Sequence, residues 1–157
     1  MRITFALLSA FFYFVPTLAQ SESVEYIDAK NVYAALGMMK LKINSAKLLH
    51  KECSAQFPSL KNEIDINLNI WRTVEASNIT KTEYYWEKLQ KNDPSLSSQI
   101  IQAEKIVKNN LASMKKPGNT TDNNLVINYC KRYFSDLASG IWRTRTPKAY
   151  FFLDKIK

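Results

Sequence analysis

Residues 23–53 read SVEYIDAKNVYAALGMMKLKINSAKLLHKEC, and their spacing decides the fold. Apolar side chains recur at Ile27, Ala34, Leu41 and Leu48, and again at Val32, Leu36, Met39 and Ile43. Separations of three, four and seven put each set on one side of a 3.6-residue helix, whereas a strand would alternate in twos. The stretch is long for one helix, and Gly37 is expected to interrupt or bend it.

The same period continues downstream. After Pro58 come Leu60, Ile64, Leu68, Trp71 and Val74 at helical spacing. Thr80-Lys81-Thr82-Glu83 has the form of a capping box, in which hydroxyl and carboxylate satisfy each other's backbone amides, so a short helix with Tyr84, Tyr85, Trp86 and Leu89 is expected to start there. Asp93-Pro94 signals another start, with Asp as cap and Pro at the first helical position. Leu96, Ile100, Ala103, Val107, Leu111 and Met114 mark the inner side of that helix. Residues 115–122 (KKPGNTTD) read as a loop. Val126, Cys130, Tyr133, Leu137 and Ile141 then form a fifth stripe, and Thr146-Pro147 opens a last short helix through Phe151, Phe152 and Ile156. The expectation is an all-α, single-domain bundle of five or six helices.

Composition agrees. The 157 residues include 3 Gly and 5 Pro, too few for a turn-rich β sandwich, and the length suits one domain. Residues 1–19 have the layout of a secretory signal peptide: Arg2, an apolar run from Ile3 to Val15, Pro16, and a small residue at Ala19. The run is shorter than the about 20 residues that span a bilayer. The mature chain is then residues 20–157, in the periplasm or the secreted space. Its two cysteines, Cys53 and Cys130, would form one bridge in an oxidising compartment. A loop of that length gives a stabilisation of about 4–5 kcal/mol by chain entropy.

Catalytic signatures are weak. With a single His (His50) and two Cys, neither a zinc site nor a Ser-His-Asp triad finds its partners, and no cofactor is expected. His50 and Cys53 sit one helical turn apart but lack the distant segments of a thiol protease. Glu83 and Glu87 are the one carboxylate pair that could suit a small hydrolase, yet Lys88 and Lys91 beside them suggest a charged surface. Asn78-Ile79-Thr80 and Asn119-Thr120-Thr121 fit the glycosylation sequon in expected loops. Ile70-Trp71-Arg72-Thr73 returns as Ile141-Trp142-Arg143-Thr144, a short match without flanking identity.

Charge supplies the remaining asymmetry. The chain carries a net +8; residues 93–157 hold 11 basic and 5 acidic residues, while residues 20–92 are nearly balanced. Lys131, Arg132, Trp142, Arg143, Arg145, Lys148 and Tyr150 interleave cations with aromatics, a mixture found where proteins bind anionic surfaces or acidic partners. The reading is an exported, non-catalytic binding protein, inhibitor- or immunity-like, that presents a basic and aromatic helical surface to a protein partner with an acidic face. The alternative is a salt-sensitive binder of an anionic envelope polymer or membrane surface. Export argues against nucleic acid as the partner.

Overall fold

The computed structural model describes residues 28–114 and 120–156, and among these residues the chain is helical with no strand. Seven helices follow in order: α1 (Val32–Gln56), α2 (Lys61–Val74), α3 (Ala76–Asn92), α4 (Ser95–Ser113), α5 (Thr120–Ala138), α6 (Ile141–Arg145) and α7 (Pro147–Asp154), with a 3-10 turn at Pro58–Leu60 between the first two. The proposed signal peptide lies outside the described residues.

Helix α1 is the hub. Leu36, Met39, Ile43, Ala46, Leu49 and Cys53 are buried at steps of three and four, and Ala35 and Gly37 are buried beside them. The helix packs against α2, α3, α4, α5 and α7. A helix apolar over most of its circumference belongs in the centre of a bundle. Gly37 does not interrupt it: α1 runs unbroken for 25 residues. The start, however, is later than the apolar spacing suggests. Asn31 takes an extended conformation and its side-chain oxygen accepts from the Ala34 amide at 2.9 Å, so α1 begins at Val32.

Two other boundaries differ from expectation. Helix α3 starts at Ala76, placing Thr80 inside the helix, and the capping box does not form. Glu83 turns instead to Lys40 and Lys47 of α1, where ion pairing replaces the backbone bond. Ile141 does not extend the fifth stripe. Gly140, at φ +70°, ends the run after α5 and starts the single turn of α6, which raises the number of helices to seven. Helix α4 starts one residue later than expected, at Ser95 with Pro94 rather than Asp93 as its N-cap, and the Asp93 carboxylate accepts from the Ser95 amide at 3.0 Å.

One contiguous core joins the helices, with Phe134, Leu49, Ile64, Leu68, Leu137 and Leu153 among its fully buried side chains. The Cys53–Cys130 disulfide crosses it, linking the last turns of α1 to the middle of α5 over 77 residues of sequence. At the opposite end, Asp28 fastens the chain ahead of α1 to α7: its carboxylate accepts from the amides of Lys148 (2.8 Å) and Ala149 (2.9 Å), the orphan donors of the α7 N-terminus.

Candidate functional site

The basic and aromatic segment is divided between the surface and the body of the molecule. Tyr150, expected on a binding surface, is only 5% exposed, and Trp142 and Phe152 are half-buried against the core. Arg143 reaches Glu75, at the junction of α2 and α3, through two bonds: Nε to Oε1 at 2.9 Å and a terminal nitrogen to Oε2 at 3.1 Å. Arg145 donates to Asp136 at 2.8 Å. Lys131 lies 3.6 Å from Glu63. Thus Glu63 and Glu75 of the first half pair with Lys131 and Arg143 of the second, while Arg145 pairs within the second half. Lys131, Arg132, Arg143 and Lys148 keep exposed side chains; Arg143, with the half-buried Arg145 and Trp142 and the buried Tyr150, also serves as a latch for α6 and α7.

Glu75 sits at the centre of that latch. It is 2% exposed, a position that a carboxylate holds only with full hydrogen bonding. Besides the Arg143 fork it accepts from Asn78 Nδ2 at 2.9 Å. Lys42 of α1 approaches the same cluster, its Nζ 3.3 Å from the Tyr150 hydroxyl and 4.7 Å from the centre of the Trp142 ring. Arg143 stacks on the other ring, 4.5 Å from the centre of Tyr150. Burial pushes the Lys42 ammonium down to about 8, against the pull of the Glu75 carboxylate and with a further push from Arg143. Burial, reinforced by Glu75, raises the Tyr150 phenol.

The Lys42 shift has a sign that can be measured. Its ordinary value is 10.5 and its folded value about 8. Between these the unfolded chain holds the proton and the folded chain has released it, so the Lys42 contribution to stability rises with pH across that window. Below it the charged amine opposes folding in full. Lys42→Met keeps the apolar stem and removes the charge, and is expected to raise the unfolding free energy by about 1–3 kcal/mol at neutral pH. The gain should shrink as pH climbs from about 8 toward 10.5. Urea midpoints of both proteins at pH 7 and pH 9.5 check this.

The other candidates separate. Glu83 bonds Lys40 and lies 3.5 Å from Lys47, while Glu87 faces outward to Lys91 at 3.0 Å, so the two carboxylates are drawn to different partners. Burial pushes the Glu83 carboxyl up, but the bond from Lys40 and the two lysine charges outweigh it and hold it low. His50 Nε2 lies 2.6 Å from Asp65 Oδ1, joining α1 to α2, and Lys61 donates to the second oxygen of Asp65 at 2.5 Å. Among the described residues, no three His, Cys, Asp or Glu side chains are placed to hold a metal ion. Asn78 lies in the first turn of α3 rather than in a loop and is 4% exposed, so the first sequon is closed to a glycosyl transferase in the folded chain. Asn119 is outside the described residues. The Ile-Trp-Arg-Thr repeat occupies unlike settings: Trp71 is buried in the last turn of the 14-residue α2, and Trp142 is half-buried in the five-residue α6.

Two surface features remain. Ile66, Ile70 and Val74, at steps of four along α2, are 51%, 44% and 61% exposed and form an apolar ridge. Such a row is visible in the sequence only once the inner stripe of Ile64, Leu68 and Trp71 is known to face the core. Second, a groove of about 290 Å³ opens where α1, α2 and α3 meet. No family model, curated protein or solved structure matches the chain.

Proposed function

We propose that this is an exported, non-catalytic binding protein that engages a protein partner through the outer side of α2. The observation that carries the reading is the apolar ridge of Ile66, Ile70 and Val74 on the otherwise polar outer side of the helix. Three aliphatic side chains one turn apart match the way a helix anchors in a partner's groove. Helix α5, which packs extensively on α2, adds Lys131 and Arg132 as exposed cations, so an acidic rim around an apolar groove would complement the pair. The disulfide supports export, because such bridges persist in oxidising compartments, and no described helix is long and apolar enough to cross a membrane. The stapled body holds the ridge rigid, which lowers the entropic cost of docking.

The triple variant Ile66→Asp, Ile70→Asp, Val74→Asp keeps its core and is expected to fold. A partner captured from the envelope or secreted fraction by the wild-type protein should form a saturable 1:1 complex that survives physiological salt. Its affinity for the variant should fall by at least about 100-fold. Retention by both proteins alike would overturn the α2 assignment. Binding that collapses steeply with salt and ignores partner identity would favour the anionic-polymer reading.

A further inference from the structure

The groove between α1, α2 and α3 has a composition suited to a ligand different from a protein partner. Ile43, Ala46 and Trp71, all buried, and the half-buried Ile79 give it an apolar floor. Its rim is charged, and the charges are unequal in what they already hold. Glu83 is bonded to Lys40, which lies outside the lining. That bond leaves Lys47, 60% exposed and 3.5 Å from Glu83, as a second and longer contact. Arg72, on the α2 side of the mouth, is exposed and has no carboxylate within ion-pair distance among the described residues. The lining therefore presents two cations, Lys47 and Arg72, against one carboxylate that Lys40 already holds from outside it.

From this geometry we infer that the groove binds a small amphiphile with an anionic head, of the class of a medium-chain carboxylate. The volume of about 290 Å³ lies at the small end of ligand pockets, which excludes large lipids and suits a single short chain. The apolar tail lies against Ile43, Trp71 and Ile79. The head takes Arg72, whose planar fork matches a carboxylate, with Lys47 supplying the second charge. Glu83 does not bar the anion, because Lys40 neutralises it from behind. This inference rests on no part of the α2 ridge, whose three side chains do not line the groove.

The bridged protein should be titrated with octanoate, octylammonium and acetate while amide shifts are followed by NMR. Octanoate is expected to shift Ala46, Trp71 and Ile79 and their neighbours and to saturate as one site, with a dissociation constant below about 1 mM. Octylammonium should bind at least about tenfold more weakly, since it meets like charge, and acetate should not saturate. Lys47→Ala with Arg72→Ala changes exposed positions only; with an unchanged melting curve it should weaken octanoate about tenfold or more. Ala76→Phe, at the exposed start of α3, should fill the mouth and block the site by bulk alone. Equal binding of the two octyl probes, shifts scattered over the surface, or octanoate binding unaffected by both variants would each overturn the assignment. The α2 ridge variant should bind octanoate as the wild type does, which keeps this outcome separate from the partner experiment.

Discussion

Replacing Cys53 and Cys130 together by alanine is expected to lower the unfolding free energy by about 4–5 kcal/mol. The bridge closes a loop of 77 residues, and its removal returns that freedom to the unfolded chain. Both sulfurs lie at 0% exposure inside the core, so the variant also loses packing at two buried positions. A domain of this size has about 5–15 kcal/mol in total, so the reduced form should sit near its unfolding threshold at body temperature. Urea unfolding of the variant against the wild type, with and without reductant, measures the difference. Reductant should lower the wild-type midpoint toward that of the variant and leave the variant unchanged. A loss under 1 kcal/mol would mean that the unfolded chain is already held compact by other contacts.

This effect was legible in the sequence because a chain with two cysteines has only one internal pairing. The helix pattern was legible for the same kind of reason: Leu36, Met39 and Ile43, or Val126, Cys130 and Leu137, repeat with the period of a helix and become buried as that period requires. Boundaries set by tertiary partners were not legible. Thr80 and Glu83 have the local chemistry of a helix start, but the lysines of α1, 36 and 43 residues away, compete for the carboxylate and win. The structural setting of the candidate residues was not legible for a related reason. Arg143, Arg145 and Tyr150 carry the residue types of a binding surface, and those types equally suit a latch between helices; only knowing that Glu75 lies opposite Arg143 reveals the latch. Nothing in the sequence around Glu75 marks it as buried, since its neighbours Val74 and Ala76 are exposed.

Arg143→Met is the second large expected effect, at about 3–5 kcal/mol of lost stability. The asymmetry of the pair explains why this partner matters more. Arg143 is 41% exposed and lies 3.7 Å from Asp154, so without Glu75 it still has water and a carboxylate. Glu75 has no such access to water: without Arg143 it keeps one bond, from Asn78, and the charge of Lys42 in a buried site. Glu75→Gln is therefore expected to cost only about 1–2 kcal/mol, the value of the lost charge-assisted bonds. The double variant Arg143→Met, Glu75→Gln should recover part of the loss, because no buried carboxylate is then left without its arginine, while the Lys42 ammonium loses the pull of Glu75. Chemical denaturation of the four proteins gives the coupling energy directly. Limited proteolysis adds a local readout: in Arg143→Met, cleavage should begin near α6 and α7, which the pair holds to the body. Equal losses for the two single variants would show that the arginine, too, depends on the contact.

The bonds from Asp28 to the amides of Lys148 and Ala149 have a kinetic consequence. They join positions 120 and 121 residues apart, and α1, the first described helix, also packs on α7, the last described one. A nascent chain can assemble α2 and α3 locally, but α1 has no complete set of neighbours until α7 has emerged. Such late closure of distant contacts slows the last step of packing around α1 and keeps the growing chain pliable until α7 is made.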